Sequence, residues 1–224
     1  MDKASLKKYN SFLSNSGINE TVESFINEQF KEKKFLEKKE IKKTLKIMDL
    51  GCGSAFALKE IKAIFKKKVE IIGLDLKEFP KENSDRQIIS DFNNADLSEF
   101  NEKIDLVFSF RSFHLFGNNE DAIKKILSLL AFHGKAILLI RITEVRDGEI
   151  SFAGNQSNED IEFLMKLVEL KMANIENRNF FIESKKTFME TKALLENPNE
   201  LKENEDLKES KILSGLSLII TRIR

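Results

Sequence analysis

The chain has 224 residues, 41% of them hydrophobic, and its 37 Lys and Arg residues balance 37 Asp and Glu residues. This is enough for one domain of ordinary size with a real core, which argues against global disorder. The zero net charge gives no basic excess of the kind that favours nucleic acid, and the single Cys52 excludes an intramolecular disulfide. No apolar run reaches the roughly 18–20 residues of a membrane span, and the N-terminus lacks a signal segment. We therefore expect a soluble, cytoplasmic protein.

The chain begins with a segment that the apolar spacing predicts to be helical, and we expect residues 1–44 to form an N-terminal appendage or lid. A main domain over 45–224 follows, with a polar, charged insertion at about 190–211. The expected strands, in chain order, are "TLKIMDL", "VEIIGLDL", "RQIISDF", "KIDLVFSF", "KAILLIRIT", "NRNFFIES" and "LSLIITRIR". The expected helices between them are "AFALKEIKAIF", "EDAIKKILSLLAF" and "NEDIEFLMKLVELK", the last capped by Ser157 or Asn158.

Strands that alternate with helices predict an α/β fold, a doubly wound and largely parallel sheet with helices on both faces. In such sheets ligands bind beyond the carboxyl ends of the strands. Polar residues and glycines stand where the first four strands end, and we expect these to converge on one crevice: Asp49 with Gly51-Cys52-Gly53, then Asp75, then Asp91, then Ser109-Phe110-Arg111.

The glycine spacing distinguishes between possible nucleotide ligands. A dinucleotide loop of the G-x-G-x-x-G/A type places Phe56 at its third position, and this side chain is too large for the close packing required there. No G-K-[ST] follows the glycines, which excludes a phosphate-binding P-loop. In a G-x-G-x-G pattern the third position is Ala55, a small departure. The acid Asp75 at the second strand end is suited to ribose hydroxyls, so a nucleoside or nucleotide is expected.

The chain resembles class I S-adenosylmethionine (SAM)-dependent methyltransferases. Five segments between Lys46 and Ile142 resemble family motifs in the right order: "IMDLGCGSA", "VEIIGLDL", "IISDFNNADLSEF", "IDLVFSFRSFHLF" and "LLAFHGKAILLI". In the last, Phe132 and His133 replace the proline and first glycine of the family's Leu-x-Pro-Gly-Gly stretch.

The resemblance implies a Rossmann-like sheet with strand order 3-2-1-4-5-7-6 and an antiparallel last strand. It implies SAM as cofactor and a methyltransferase of EC class 2.1.1. The cofactor-binding residues that it implies are Asp49, Gly51, Cys52, Gly53, Asp75, Leu76, Asp91, Phe92, Ser109 and Phe110. No metal is implied.

Several of these positions have alternative interpretations. Asp49 could instead cap the turn that follows it, and Asp96 competes with Asp91 for the third motif. Cys52 is expected to be a small buried filler and not a nucleophile, since no neighbour in sequence would lower its pKa. The stretch "LKEFPKENSDR" between the second and third strands is too short for the usual crossover helix, so that helix is expected to be very short or absent.

Fewer residues can be assigned to the expected binding site of the methyl acceptor than to the cofactor site. His114 follows the fourth strand and is the candidate general base, or else a histidine that hydrogen-bonds in its loop. Arg111 could bind an acidic substrate or pair with an acid such as Asp91. Tyr9, in the N-terminal appendage, could form a wall of the substrate pocket or simply pack on the sheet. His133 is expected to be structural.

The fourth motif reads "SFRSFHLF" and lacks the Asn/Asp-Pro-Pro-aromatic tetrapeptide with which relatives methylate amide or base-edge nitrogens. By elimination we expect methyl transfer to an oxygen or nitrogen of a small-molecule acceptor by a monomer or homodimer, with nucleic acid and membrane not expected as partners. The alternatives are a catalytically weak SAM-binding module or pseudoenzyme, an RNA methyltransferase and, disfavoured by Phe56, an NAD-linked oxidoreductase.

Overall fold

A computed structural model describes residues 44–53, 55, 58–59, 61–62, 69–110, 112–146, 149–154, 156–170, 172–175, 178–190 and 212–223. The predicted N-terminal appendage up to residue 43 and residues 191–211 of the predicted insertion lie outside these ranges, and so do Tyr9, Phe56 and Arg111. The chain consists of two compact units, the first ending at Phe92 and the second beginning at Asn93.

The unit that ends at Phe92 contains three parallel strands in the order β3-β2-β1, and their bounds are β1 (Leu45–Leu50), β2 (Val69–Asp75) and β3 (Arg86–Ile89). β1 and β2 are apolar and almost wholly buried, as expected for parallel strands covered on both faces. The described residues of the segment after the glycine loop, 58–59 and 61–62, are helical as predicted.

The crossover from β2 to β3 is short, as predicted, and contains only a 3-10 turn, Lys81–Asn83, in place of a helix. An aromatic plug replaces the helix: the buried ring of Phe79 packs directly on Gly73 in β2, where a Cβ would lie 2.5 Å from Phe79 Cζ. The backbone carbonyl of Phe79 accepts a 2.6 Å hydrogen bond from Gln87 Nε2, which fastens the plug to β3. A glycine at position 73 therefore makes this compact crossover possible.

We expect Gly73→Ala to lower the free energy of unfolding by about 1–3 kcal/mol, the cost of overpacking a tight core contact. The added methyl also meets Phe79 Cε2 at 2.9 Å and Leu58 Cδ1 at 3.0 Å. In a double-mutant cycle with Phe79→Leu, urea unfolding should show the pair less destabilised than the sum of the singles. Strict additivity would contradict the packing of Phe79 on Gly73.

The unit that begins at Asn93 contains five strands of the sheet in the order β4-β5-β10-β9-β8. Their bounds are β4 (Ile104–Phe110), β5 (Leu130–Arg141), β8 (Met172–Ile175), β9 (Arg178–Glu190) and β10 (Ile212–Arg222). Two helices, α1 (Asn119–Leu129) and α2 (Asn158–Leu170), lie between them in the chain, and so does a separate hairpin of β6 (Thr143–Arg146) and β7 (Glu149–Phe152). No helix of the described residues is long and apolar enough to cross a membrane.

The predicted fold class is confirmed. The strand order of the eight-stranded sheet is β3-β2-β1-β4-β5-β10-β9-β8, and its first seven members correspond to the predicted order 3-2-1-4-5-7-6. The last strand, β10, is antiparallel to both β5 and β9, as predicted. The short edge strand β8, antiparallel to β9, is an addition that the sequence patterns did not indicate.

One helix start agrees with the expectation, and one helix end differs from it. α2 is capped by Ser157, whose Oγ accepts from Asp160 N at 3.2 Å while Asp160 Oδ2 accepts from Ser157 N at 2.9 Å, a reciprocal capping box. α1 ends at Leu129, three residues before the predicted end at Phe132, because Leu130 already pairs with Ile104 in β4.

The turn into β5 is a bulge in which the register jumps between Ile104 and Leu106. His133 has φ +63°, a left-handed conformation that glycine adopts readily, at the position where the resembled family has its first glycine. A Cβ on Gly134 would lie 2.8 Å from the carbonyl oxygens of Ala131 and Ile104. His133 therefore shapes the turn, in agreement with the structural role expected for it.

Candidate cofactor site

The glycine loop after β1 turns back by means of left-handed residues, with φ +72° at Gly51 and +55° at Gly53. The N–H groups of Gly51 and Cys52 both donate to the carbonyl oxygen of Leu74 in β2, at 2.8 and 3.1 Å. These bonds fix the loop to the neighbouring strand. They also leave the Gly51 and Cys52 N–H groups bonded to backbone. Both interpretations of Asp49, cofactor binding and capping of the turn, stay predictions.

Asp75, at the end of β2, is held by the same loop. Its Oδ2 accepts a 2.7 Å hydrogen bond from Gly53 N, and its Oδ1 accepts a longer one, 3.3 Å, from Lys77 N. A carboxylate that accepts two backbone N–H groups has a fixed orientation and still has lone pairs for further donors. The end of β2 and the glycine loop are thus held in a fixed arrangement. The sequence pattern placed them near each other but did not predict the hydrogen bond between them.

Asp49, at the end of β1, is only 3% exposed, and it lies in register with Gly73 of β2. Burial raises the pKa of the Asp49 carboxyl well above its usual range, and the negative charge of Asp75 raises it further. A cationic group of a ligand would offset the cost of burying the charged form of Asp49.

Cys52 is half-buried, which is less burial than was expected of a buried filler. Burial raises the pKa of its thiol strongly, and the charges of Asp49 and Asp75 act in the same direction. The thiol is therefore protonated, and this agrees with the prediction that Cys52 is not a nucleophile.

Ala55 is fully buried and has φ +57°, so it adopts the left-handed conformation of the glycine that it replaces. Its N–H donates to Cys52 O at 2.8 Å, and its own carbonyl accepts from Lys59 N at 3.2 Å, where the helical segment starts. The alanine thus keeps the backbone path of a third glycine at the cost of a disfavoured conformation.

We expect Ala55→Gly to change the free energy of unfolding by less than about 1 kcal/mol, because two effects oppose each other. Removing the methyl relieves a left-handed alanine, worth roughly 1–2 kcal/mol, but loses a buried methyl and adds chain entropy, together of about the same size. SAM affinity, measured by calorimetry, should change less than about threefold. A large gain in affinity would contradict this and indicate a loop that has lost function.

The third strand end carries the residues predicted to adjoin adenine. Asp91 is partly buried, Phe92 is buried, and Leu76 after β2 is 69% exposed. The competing acid, Asp96, accepts a 3.0 Å hydrogen bond from Ser98 N at the start of a 3-10 turn, and the hydrogen bonds from Ser98 lower its pKa. Capping this turn accounts for Asp96, and Asp91 remains the prediction for the third motif.

In the other unit, Ser109 and Phe110 end β4 as predicted. Ser109 is fully buried and its hydroxyl is 2.8 Å from that of Ser112, while Phe110 lies beside Phe108 with ring centroids 5.0 Å apart. Ser112 was not a predicted site residue, although a polar residue just past a strand end is the signal that identified the others. A role for Ser109 and Phe110 in cofactor binding stays a prediction.

His114 lies in the 3-10 turn Phe113–Leu115 after β4 and is only 5% exposed. Gly154, which follows the β6–β7 hairpin with φ +64°, packs directly on it: a Cβ there would overlap the His114 carbonyl oxygen and lie 2.8 Å from Cδ2 of the ring. Catalysis by His114 stays a prediction. The hairpin that precedes Gly154 was not predicted, although the Asp-Gly pair in "EVRDGEISF" is a strong hairpin signal.

Residues 41–203 match the family model described as a methyltransferase domain. The chain belongs to the methyltransferase domain family. The resemblance to class I SAM-dependent methyltransferases is thereby confirmed, and with it the cofactor, SAM. No curated protein matches the chain significantly.

Solved methyltransferase-fold structures support the fold of this methyltransferase. A plantazolicin methyltransferase, BpumL, in complex with a triazolic desmethylPZN analog and SAH, is 15% identical with TM-score 0.55 over 100% of this chain and 92% of that one. The 1,6-didemethyltoxoflavin-N1-methyltransferase of Burkholderia thailandensis is 8% identical with TM-score 0.54 over 99% and 85%. The YcgJ protein of Bacillus subtilis is 12% identical with TM-score 0.51 over 85% and 96%.

The residues of the first unit fit SAM chemically. The ligand combines a ribose with an amino acid and a sulfonium, and the site offers a fixed carboxylate at Asp75 and glycines that allow close approach. The buried Asp49, whose ionisation is opposed by burial and by the charge of Asp75, suits a cationic ligand. Within the described residues no group of three His, Cys, Asp or Glu side chains is placed to hold a metal ion.

Proposed function

We propose that this methyltransferase transfers the methyl group of SAM to an oxygen or nitrogen of a small-molecule acceptor. The cofactor part of this proposal is supported by the 2.7 Å hydrogen bond from Gly53 N to Asp75 Oδ2. This bond joins the glycine loop to the residue expected to bind the ribose. The predicted cofactor residues in the first unit are Asp49, Gly51, Cys52, Gly53, Asp75, Leu76, Asp91 and Phe92, and in the second Ser109 and Phe110.

The acceptor class rests on the end of β4 and on two structural neighbours. The residues there read Ser109-Phe110-Arg111-Ser112 and include no proline, unlike the tetrapeptide used for amide and base-edge nitrogens. By their names, one of these neighbours methylates N1 of 1,6-didemethyltoxoflavin and the other methylates plantazolicin. The zero net charge gives no general attraction to RNA. We also propose a cytoplasmic location and a monomer or homodimer.

Bound SAM supplies a methyl group that its sulfonium already activates. The task of this chain is then to hold the cofactor and align the acceptor, and positioning alone can supply a large part of the rate. Asp75 would hold the ribose, and the loop at Gly51 and Gly53 would allow the amino-acid end of SAM to approach the backbone. If the acceptor must lose a proton, His114 is the proposed base, which requires access past the Gly154 backbone that now covers it.

The proposal is tested by incubating the protein with SAM and a desalted metabolite extract, with and without nuclease treatment, and by quantifying S-adenosylhomocysteine. Small-molecule methylation predicts turnover that survives nuclease and passes through a filter that retains macromolecules. Turnover only with added tRNA or rRNA would overturn the acceptor class and establish the RNA alternative.

A catalytically weak or regulatory SAM-binding module is the second candidate, favoured by the left-handed Ala55 and by the burial of His114. Calorimetry with SAM and S-adenosylhomocysteine separates the two. Binding of SAM with no turnover on any extract supports the regulatory SAM-binding module. An absence of binding at high micromolar ligand would contradict both candidate functions.

A further inference from the structure

The backbone at Gly154 covers His114, the residue proposed above as the general base. His114 is buried, and a Cβ on Gly154 would overlap its carbonyl oxygen and lie 2.8 Å from Cδ2 of its ring. An acceptor that is to reach this imidazole must therefore displace the backbone at Gly154. The contacts that hold this backbone in place then determine how accessible His114 is.

Hydrogen bonds attach the chain to the end of β5 on both sides of Gly154. Before it, Ala153 N donates to Ile142 O at 3.0 Å, directly after the last residue of the strand. After it, the buried side-chain amide of Gln156 lies against two carbonyl oxygens, so its nitrogen must face them. In this orientation Gln156 Nε2 donates to Arg141 O at 2.9 Å and to Ala153 O at 3.3 Å.

The same amide also contacts α1. Gln156 Oε1 accepts from Asn119 Nδ2 at 3.2 Å, and Asn119 is the fully buried first residue of that helix. Asn119 N in turn donates to Asp160 Oδ1 at 2.7 Å, in the first turn of α2. Within the described residues Asn119 Oδ1 accepts no hydrogen bond. A buried polar network with one unsatisfied member is held less firmly than a fully satisfied one, so this arrangement can be exchanged for another.

We propose that Gln156 is a positioning residue that holds the Gly154 backbone over His114 and so controls access of the methyl acceptor to this imidazole. In the closed arrangement, which the structure describes, the Gln156 amide makes its bonds to Arg141 O, Ala153 O and Asn119 Nδ2. In the open arrangement water replaces these partners and His114 is accessible. An acceptor that contacts His114 binds only the open arrangement, so its affinity is reduced by the fraction of molecules that are closed. The inference rests on the proposed role of His114 as the base.

The test is modification of the ligand-free full chain with diethyl pyrocarbonate, which transfers an ethoxycarbonyl group to a neutral imidazole nitrogen. The chain has only two histidines, and the exposed His133 is an internal reference for the buried His114. Mass spectrometry of the two peptides that contain them gives both rates. In the wild type His114 should react much more slowly than His133, and equal rates would overturn the inference.

Two variants remove the hydrogen bonds of Gln156 in different ways. Gln156→Met keeps a side chain of similar length but loses the amide, and should raise the rate at His114 about 5- to 150-fold with the rate at His133 unchanged. This range corresponds to about 1–3 kcal/mol, the cost of leaving buried partners without their bonds. Gln156→Glu keeps an acceptor for Asn119 Nδ2 but loses both donors, so it should also raise the rate at His114. An unchanged rate at His114 in either variant overturns the inference.

Local opening must be distinguished from a general loss of stability. Gly73→Ala is the matched control, because it destabilises the chain through Phe79 and its new methyl contacts none of the partners of Gln156. Urea unfolding measures the stability of each variant, and Gly73→Ala should leave the rate at His114 unchanged. A Gly73→Ala protein that is as destabilised as Gln156→Met and equally reactive at His114 would mean that modification follows global unfolding, which overturns the inference.

The modification requires no acceptor and no turnover, so the result is independent of the proposed reaction. Faster modification of His114 in Gln156→Met, with no methyl transfer by either protein on any extract, contradicts the proposed function and supports the role of Gln156. Methyl transfer by the wild type, with the same His114 reactivity in wild type and Gln156→Met, contradicts the role of Gln156 alone.

Discussion

Asp75→Ala is expected to weaken SAM binding about 5- to 150-fold, equivalent to about 1–3 kcal/mol, the cost of leaving a buried donor without its acceptor. The change removes two things at once. It deletes the carboxylate proposed to bind the ribose, and it leaves Gly53 N without its 2.7 Å partner. The glycine loop then keeps only its two backbone hydrogen bonds to Leu74 O in β2. Calorimetry with SAM measures the effect directly.

Asp75→Asn separates the two contributions. The amide keeps one carbonyl oxygen that can accept from Gly53 N but loses an acceptor for the ribose hydroxyls. We expect an affinity between those of wild type and Asp75→Ala, with a thermal unfolding curve closer to wild type. Asp96→Asn serves as the surface control, because Asp96 only caps the turn at Ser98 and should leave SAM affinity unchanged. Equal affinities for wild type and Asp75→Ala would contradict the ribose role of Asp75.

The strand ends were predictable because apolar runs that end in an acid or glycine have few other interpretations in an α/β chain. Asp49, Asp75 and Asp91 follow or end the strands where they were expected, and the family confirms the cofactor. Physical details that depend on distant partners were not predictable. The bond from Gly53 to Asp75 spans 22 residues, and the Phe79 plug depends on a glycine in the neighbouring strand.

In the second unit, sequence patterns failed to predict some features for a different reason. "LLAF" has the composition of a helix end, but Leu130 gains more from pairing with Ile104 and entering β5, so tertiary contacts override the local pattern. The edge strand β8 is only four residues long with alternating exposure, too short for periodicity to identify. His114 was predicted beside the acceptor from its place after β4, and nothing local indicated that Gly154 would cover it.

Gly154→Ala is expected to be among the most destabilising single-methyl substitutions in the described part of the chain. A left-handed alanine costs roughly 1–2 kcal/mol, and overpacking against a fixed group adds about 1–3 kcal/mol. The fixed group is backbone: the new Cβ would overlap the carbonyl oxygen of His114, and shortening the His114 side chain cannot relieve this. Urea unfolding should therefore show a loss of about 2–5 kcal/mol.

Gly117→Ala is the matched control, because it has the same conformation without the overlap. Gly117 has φ +77°, and the nearest atom to a new Cβ is Asn93 Nδ2 at 3.8 Å, an ordinary contact. It should cost only the left-handed penalty, roughly 1–2 kcal/mol. The difference between the two variants isolates the packing of Gly154 on His114. Equal losses would mean that the backbone after the β6–β7 hairpin does not cover His114, and the histidine would then be open to an acceptor without any movement of that segment.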